Sequence, residues 1–291
     1  MRAHYWLIGA LFSAPTFATT PTWFEGNSPL IQAHKHLLTN DLAAMFASLV
    51  EAWQLEKNAT ITPHLNELFL QSLQVDCGKG LDNRAFPDWI RGVTIRNTEI
   101  QSPGRDAYRV VVELNSSKEI GDINLTRWVA KTVSNDDVLI KSQPQNNSDI
   151  ISYTKRYNLN NRLPIGLYRI DVTATDQTSW SAWLVLGESK TNMVVRWRSK
   201  DRWKIDKTAL PNPHCPLPKL NASLYDYVDG TYNQEWTETY ESDYPTSLKT
   251  GTVPPGRYVL AVSMTHQRWQ GPLIVEQSQI ISKTYDVSVE E

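Results

Sequence analysis

The chain is short of cysteine, of any excess of charge and of long apolar runs, and each shortage excludes something. Only Cys77 and Cys215 occur among its 291 residues. No cysteine follows the short apolar stretch at the N-terminus, which argues against a lipid anchor there. No run approaches the ~20 apolar residues that a helix needs to cross a bilayer. The formal net charge is −2 and the pI about 6.3, so nothing favours nucleic acid or an acidic membrane surface as a partner. No G-x-S-x-G, H-E-x-x-H or phosphate-cradling glycine loop is present. Phenylalanine is scarce too, with 6 residues against 11 Trp and 12 Tyr. That bias towards amphipathic aromatics suits half-buried sheets and contact surfaces.

What is there begins with an address. Arg2 precedes the apolar stretch Trp6–Phe12, Pro15 breaks it, and Thr16-Phe17-Ala18 places small residues at −3 and −1. This is the layout of a cleavable secretory signal over residues 1–18, and it predicts a periplasmic or secreted protein. In an oxidising compartment the two cysteines are expected to form one disulfide, Cys77–Cys215, closing a loop of 138 positions.

Residues 19–80 read as a helical module. Leu42, Met45, Phe46, Leu49, Val50 and Trp53 recur at helical spacing, with Asn40 or Asp41 able to cap their start. Leu30, Ala33, Leu37 and Leu38 predict a shorter helix before it. Thr62-Pro63, read as a cap and a first-turn proline, leads into Leu65, Leu68, Phe69 and Leu73, and Gly78 ends the pattern.

Beyond Gly80 the period changes to two. Ala107–Glu113, Asp149–Tyr157 and Thr191–Trp197 read as strands, and the spacing of such segments points to sandwiches. One phrase occurs twice, as LPIGLYRIDV at 163–172 and VPPGRYVLAV at 253–262. In each copy Pro and Gly precede a tyrosine, Tyr168 or Tyr258, that opens an alternating apolar face. The phrase resembles the tyrosine corner of immunoglobulin-like sandwiches. Trp128 and Trp236 lie upstream, where a core tryptophan of strand C would sit. The expected architecture is therefore mainly β after the helices, with two tandem immunoglobulin-like sandwiches at 82–188 and 189–291.

The candidate chemistry is thin. Ser152-Tyr-Thr-Lys155 fits S-x-x-K, and Lys249-Thr-Gly251 follows, as in penicillin-recognising enzymes. A serine and lysine three apart are neighbours on a helix, but on a strand they point to opposite faces, and this segment reads as a strand. His34 and His36 are two apart on a helix and cannot share a metal from one face. No catalytic residue, cofactor or metal is therefore expected. The repeat supplies one candidate surface. Trp180 in the first copy and Arg268-Trp269 in the second fall at the turns after the tyrosine strands, the usual binding edge of a sandwich. They are the expected contacts for a protein partner or, as an alternative, for a glycan stacked on Trp180 and Trp269. Trp197 and Trp203 are expected at the join between the sandwiches.

Thr22-Trp-Phe24, Leu30-Ile-Gln-Ala-His34, Leu37-Leu38, Asn40-Asp-Leu42 and Val50-Glu-Ala-Trp53 resemble an uncharacterised family of secreted proteins from marine gamma-proteobacteria, a domain of unknown function. The resemblance implies a Gram-negative envelope location and, through an association with envelope-sensing operons, a protein partner. It assigns no site. The sequence thus leads to a non-catalytic periplasmic adaptor or binding protein.

Overall fold

The computed structural model describes residues 26–55, 59–129, 131–142, 149–187, 191–248 and 253–287. The expected secretory signal lies outside them. Three helices come first: α1 (Pro29–Leu38), α2 (Leu42–Leu55) and α3 (Thr62–Asp76). Ser28 caps α1 by accepting from Ile31 N–H at 3.4 Å, and Asp41 caps α2 by accepting from Ala44 N–H at 3.1 Å. At α3 the expected cap is displaced. Thr62 is already helical, and Ile61, in the capping position, contributes no side-chain bond. The helix ends at Cys77, whose left-handed backbone (φ 62°) lets its N–H bond Leu73 O at 2.9 Å.

Fourteen strands follow among the described residues. They are β1 (Ile90–Ser102), β2 (Arg105–Ser116), β3 (Ile120–Arg127), β4 (Lys131–Thr132), β5 (Asp137–Ser142), β6 (Ile151–Leu159) and β7 (Gly166–Ala174). The second half of the chain supplies β8 (Ser179–Leu186), β9 (Met193–Trp197), β10 (Trp203–Lys207), β11 (Lys219–Val228), β12 (Thr231–Tyr240), β13 (Gly256–Gln270) and β14 (Leu273–Val287).

The pairing joins what the sequence separates. One curled eight-stranded sheet runs β12-β11-β13-β14-β1-β2-β6-β5, and its two halves meet where β14 pairs with β1 in parallel. A four-stranded sheet β4-β3-β7-β8 covers the β1-β2-β6-β5 half, enclosing Ile95, Val112, Ile123, Tyr168 and Ile170. A two-stranded ribbon, β9-β10, lies over the other half, enclosing Val195, Trp203, Leu220, Leu260 and Val262. Each layer contributes alternate residues to a shared core, the arrangement of face-to-face sheets. The strands therefore form one shared sheet with two covered halves, not two separate sandwiches. The first core even includes Leu273 and Val275 from the far end of the chain.

Both repeated tyrosines do the same thing. Tyr168 Oη donates to Pro164 O at 2.6 Å and Tyr258 Oη to Pro254 O at 3.0 Å, each four residues back. Strand β7 pairs with β3 and β8, as β13 pairs with β11 and β14. The second hairpin is much longer, and its tip reaches the helices. Those helices pack on the outer face of the first hairpin, where Leu167 and Val185 join Met45, Leu49, Leu65 and Phe69 in a third core. Strand β8 is thus buried on both sides, which explains its nearly unbroken apolar run Trp183-Leu-Val-Leu186.

Of the two upstream tryptophans, Trp236 packs half-buried against the second core, whereas Trp128 departs from expectation. Trp128 sits at the end of β3 with 37% of its surface exposed, edge-on to Trp183 rather than in the first core. Trp197 and Trp203 face each other across the β9-β10 ribbon, and Trp203 is fully buried in the second core rather than at the join.

Candidate functional site

Two of the three predicted contact residues, Arg268 and Trp269, lie at an internal joint. Arg268 is only 6% exposed. Its guanidinium donates from Nη2 to Val185 O at 2.7 Å and lies over the Phe69 ring at 5.0 Å. Gln270, 1% exposed, accepts from Val185 N–H at 3.1 Å and donates to Trp183 O at 2.8 Å. Its amide acts as one more peptide unit on the edge of β8, so the edge is closed by side chains. Trp269 binds through its backbone, donating to Cys77 O at 3.0 Å, while Gly271 N–H donates to Gly78 O at 2.9 Å. Gly78 is held at φ 87°, and a Cβ there would come within 2.1 Å of Trp269 O, so only glycine permits the approach.

The two tryptophans are engaged within the chain. Trp180 is the second residue of β8 and meets Phe86 edge-to-face at 5.4 Å. The Trp269 ring is covered by Lys79 Nζ at 4.5 Å. The structure therefore places Trp180 against the first core and Arg268 and Trp269 inside the joint between helices and sheets, so the three do not make one outward face. The disulfide fastens the same region. Cys77 is bonded to Cys215 with Cα atoms 5.1 Å apart, and Asn212, on the same strap, donates to Leu73 O at 2.7 Å.

Beside this joint lies a trough whose floor is a change in sequence pattern. On β1 the inward residues run Val93, Ile95, Asn97, Glu99, Gln101; on β14 they run Leu273, Val275, Gln277, Gln279, Ile281. The parallel register sets Asn97 beside Gln277 and Glu99 beside Gln279. Apolar residues on these strands fill the two cores, and the polar ones floor the gap between them. Two cavities of about 340 and 420 Å³ open over this floor and share Asn97, Thr191 and Gln277. A chain of hydrogen bonds crosses it. Arg162 donates to Glu99 at 2.5 Å, Gln101 to Glu99 at 3.4 Å, Gln279 to Gln101 at 3.3 Å, and Val195 N–H to Gln279 at 3.0 Å. The Glu99 hydrogen bond outweighs partial burial and holds the Arg162 guanidinium above its usual pKa. On the opposite face burial pulls Arg96 down, but its pairs with Glu276 (2.6 Å) and Glu113 (3.1 Å) win and raise it. The sequence reading missed this trough, although the replacement of apolar by polar residues at unchanged period was visible in it.

A third surface is the outer end of the large sheet. Strand β12 is its last strand, and its outer edge pairs with no strand among the described residues. All its residues are exposed except the half-buried Trp236 and Tyr240. At its hairpin tip Tyr227 and Tyr232, 58% and 60% exposed, meet in a tilted contact with centroids 4.7 Å apart.

The remaining motifs behave as strand and helix geometry dictates. Ser152 and Lys155 lie on β6 and face opposite ways. Ser152 donates to Asn115 at 2.8 Å, whereas Lys155 turns inward to Asp137 at 2.6 Å and Asp122 at 3.5 Å. His34 instead meets His64 across α1 and α3, with Nε2 atoms 3.1 Å apart. Burial and, secondarily, the neighbouring His64 hold the His34 pKa below its usual value. Among the described residues no three His, Cys, Asp or Glu side chains cluster closely enough to hold a metal ion. Nor is any described helix long and apolar enough to cross a membrane.

These features define a mainly β protein with an N-terminal helical module, fastened to the sheets by a disulfide and a side-chain-sealed joint. The chain belongs to the family described as Protein of unknown function (DUF2861), which matches residues 23–286. Comparison with proteins of curated function returns no match.

Proposed function

We propose that the protein is a non-catalytic adaptor of the Gram-negative cell envelope that binds a partner protein by strand addition at β12. The edge of β12 carries this reading. Exposed sheet edges are normally blocked by lysine, proline or a covering segment. The sequence of β12, TYNQEWTETY, has neither lysine nor proline. A bulge opposite Leu224 and Tyr225 and the charges of Glu235 and Glu238 are its blunting features. An extended partner segment can take up the edge backbone groups, with the Tyr227–Tyr232 pair as an apolar anchor. Asp226, Asp229, Glu235 and Glu238 surround that edge, so the segment that fits is basic.

The disulfide supports a location outside the cytoplasm, where such bonds persist. The two tyrosine hydrogen bonds support descent of both halves from immunoglobulin-like sandwiches, roughly 82–188 and 189–291, fused through one sheet. Glycan stacking on Trp180 and Trp269 has less support, since Phe86 and Lys79 already occupy those rings.

The test is in-cell crosslinking and pull-down of the full-length protein against a Tyr232→Ala/Glu235→Lys variant of equal urea midpoint. A specific protein band lost in the variant is the expected result. A band equally strong in both would move the contact away from β12, and no band at all would end the adaptor reading.

A further inference from the structure

We infer that the trough between the two cores is a second, separate binding site, for a neutral carbohydrate. The argument starts from position. Asn97, Glu99, Gln101, Gln277 and Gln279 occupy the inward register of β1 and β14, where apolar residues continue the strand on one or both sides. Polar groups turned inwards cost free energy unless something bonds them. Glu99, Gln101 and Gln279 are bonded across the floor, but the Asn97 side chain has no protein hydrogen bond among the described residues. Asn97 is half-buried and borders both cavities.

The chemistry of the lining selects the ligand. The charged groups of its lining are already engaged: Glu99 with Arg162 at 2.5 Å, Arg196 with Asp206 at 3.4 Å, Glu276 with Arg96 at 2.6 Å, and Arg268 with Val185 O at 2.7 Å. A charged ligand would have to break one of these pairs, whereas a neutral one need not. Amide side chains present a donor and an acceptor side by side, which matches adjacent hydroxyl groups. One end of the trough is apolar, with Leu70, Leu73, Leu186 and Met193, and can cover the C–H face of a sugar ring. Each cavity also has the volume of an ordinary small-molecule site. A peptide fits less well. The floor is a sheet face whose backbone groups are spent on the β1–β14 ladder, so no strand can be added there.

The experiment uses the full-length oxidised protein and a panel of neutral di- to tetrasaccharides built from glucose, galactose and N-acetylglucosamine. Binding is read by saturation-transfer NMR and calorimetry, with uncharged tripeptides and glucuronic acid as comparators. At least one neutral saccharide should bind. Asn97→Leu, similar in size, should weaken it at least tenfold at an unchanged urea midpoint, and Tyr232→Ala at the distant strand edge should leave it unaltered. A partner protein lost by altering β12 with saccharide binding intact would separate this site from the adaptor surface. No saccharide binding, binding indifferent to Asn97→Leu, or a preference for glucuronic acid or the tripeptides would each overturn the inference.

Discussion

Arg268 and Val185 are 83 residues apart in sequence, and the guanidinium of the first donates to the carbonyl of the second at 2.7 Å. Through this bond the long C-terminal hairpin closes the edge of β8 and supports the helices behind it. A hydrogen bond from a charged group contributes about 1.5–3 kcal/mol, and its loss leaves a buried carbonyl without that donor. Arg268→Leu is therefore expected to lower the unfolding free energy by about 2 kcal/mol in urea titrations. Hydrogen exchange should place the loosening locally, with Val185 N–H exchanging faster while amides in β2 keep their protection. Gln270→Leu should act on the same amide, so the double variant should cost less than the two single changes together.

The disulfide ties the end of α3 to the strap before β11, across a sequence separation of 138. In the chain-entropy account a loop of that length confines the unfolded chain by about 4–5 kcal/mol. Paired Cys77→Ser/Cys215→Ser substitution should lower Tm strongly, and adding reductant to the native protein should reproduce the shift. Reductant should leave the double variant unchanged. Equal stability of native and double variant would show that Asn212 and the packed joint hold the strap without the bond.

The two tyrosine corners allow a comparison within one chain. Tyr168 is almost fully buried and its bond to Pro164 O is 2.6 Å; Tyr258 is slightly more exposed and its bond to Pro254 O is 3.0 Å. Burial, partly offset by Arg127, pushes the Tyr168 phenol far above its usual pKa, so it stays a neutral donor at all working pH values. Tyr→Phe at either site removes one hydroxyl and keeps the ring. The expected cost is about 1 kcal/mol, larger at 168 than at 258 because the orphaned carbonyl is further from water. Urea midpoints of the two variants, measured together, decide the ranking.

Those corners also mark how far the sequence could be read. The alternating faces after Tyr168 and Tyr258 and the helical spacing of Leu42 to Trp53 are local signals, and each became the strand or helix it predicts. The doubled phrase became two equivalent tyrosine hydrogen bonds and not two separate sandwiches. The parallel pairing of β1 with β14 joins residues about 180 positions apart, and no local pattern announces it. Without that pairing, Asn97 and Gln277 are two unrelated polar residues, and the trough they floor cannot be drawn. The surroundings of the tryptophans were hidden for a similar reason. A Trp beside a turn looks available until Phe86 and Lys79, remote in sequence, are brought against it. Arg268 was misplaced because burial of an arginine depends on acceptors such as Val185 O, which arrive from another hairpin.

The contact between His34 and His64 should make the helical module sensitive to acid. Their Nε2 atoms are 3.1 Å apart, a distance that one shared proton satisfies and two protons do not. Burial first, and repulsion from His64 second, depress the His34 pKa from 6.5 in the folded state. The unfolded chain therefore binds more protons here than the native one, and stability rises with pH between the depressed value and about 6.5. Acidification through that window should lower the urea midpoint, an effect that fades above neutrality. His34→Gln cannot carry the charge, so its midpoint should change less between pH 7.5 and pH 5.5 than that of the native protein. Parallel titrations of the two proteins test this, and identical curves would place the acid sensitivity elsewhere, since the pair would then contribute no pH-dependent stability between α1 and α3.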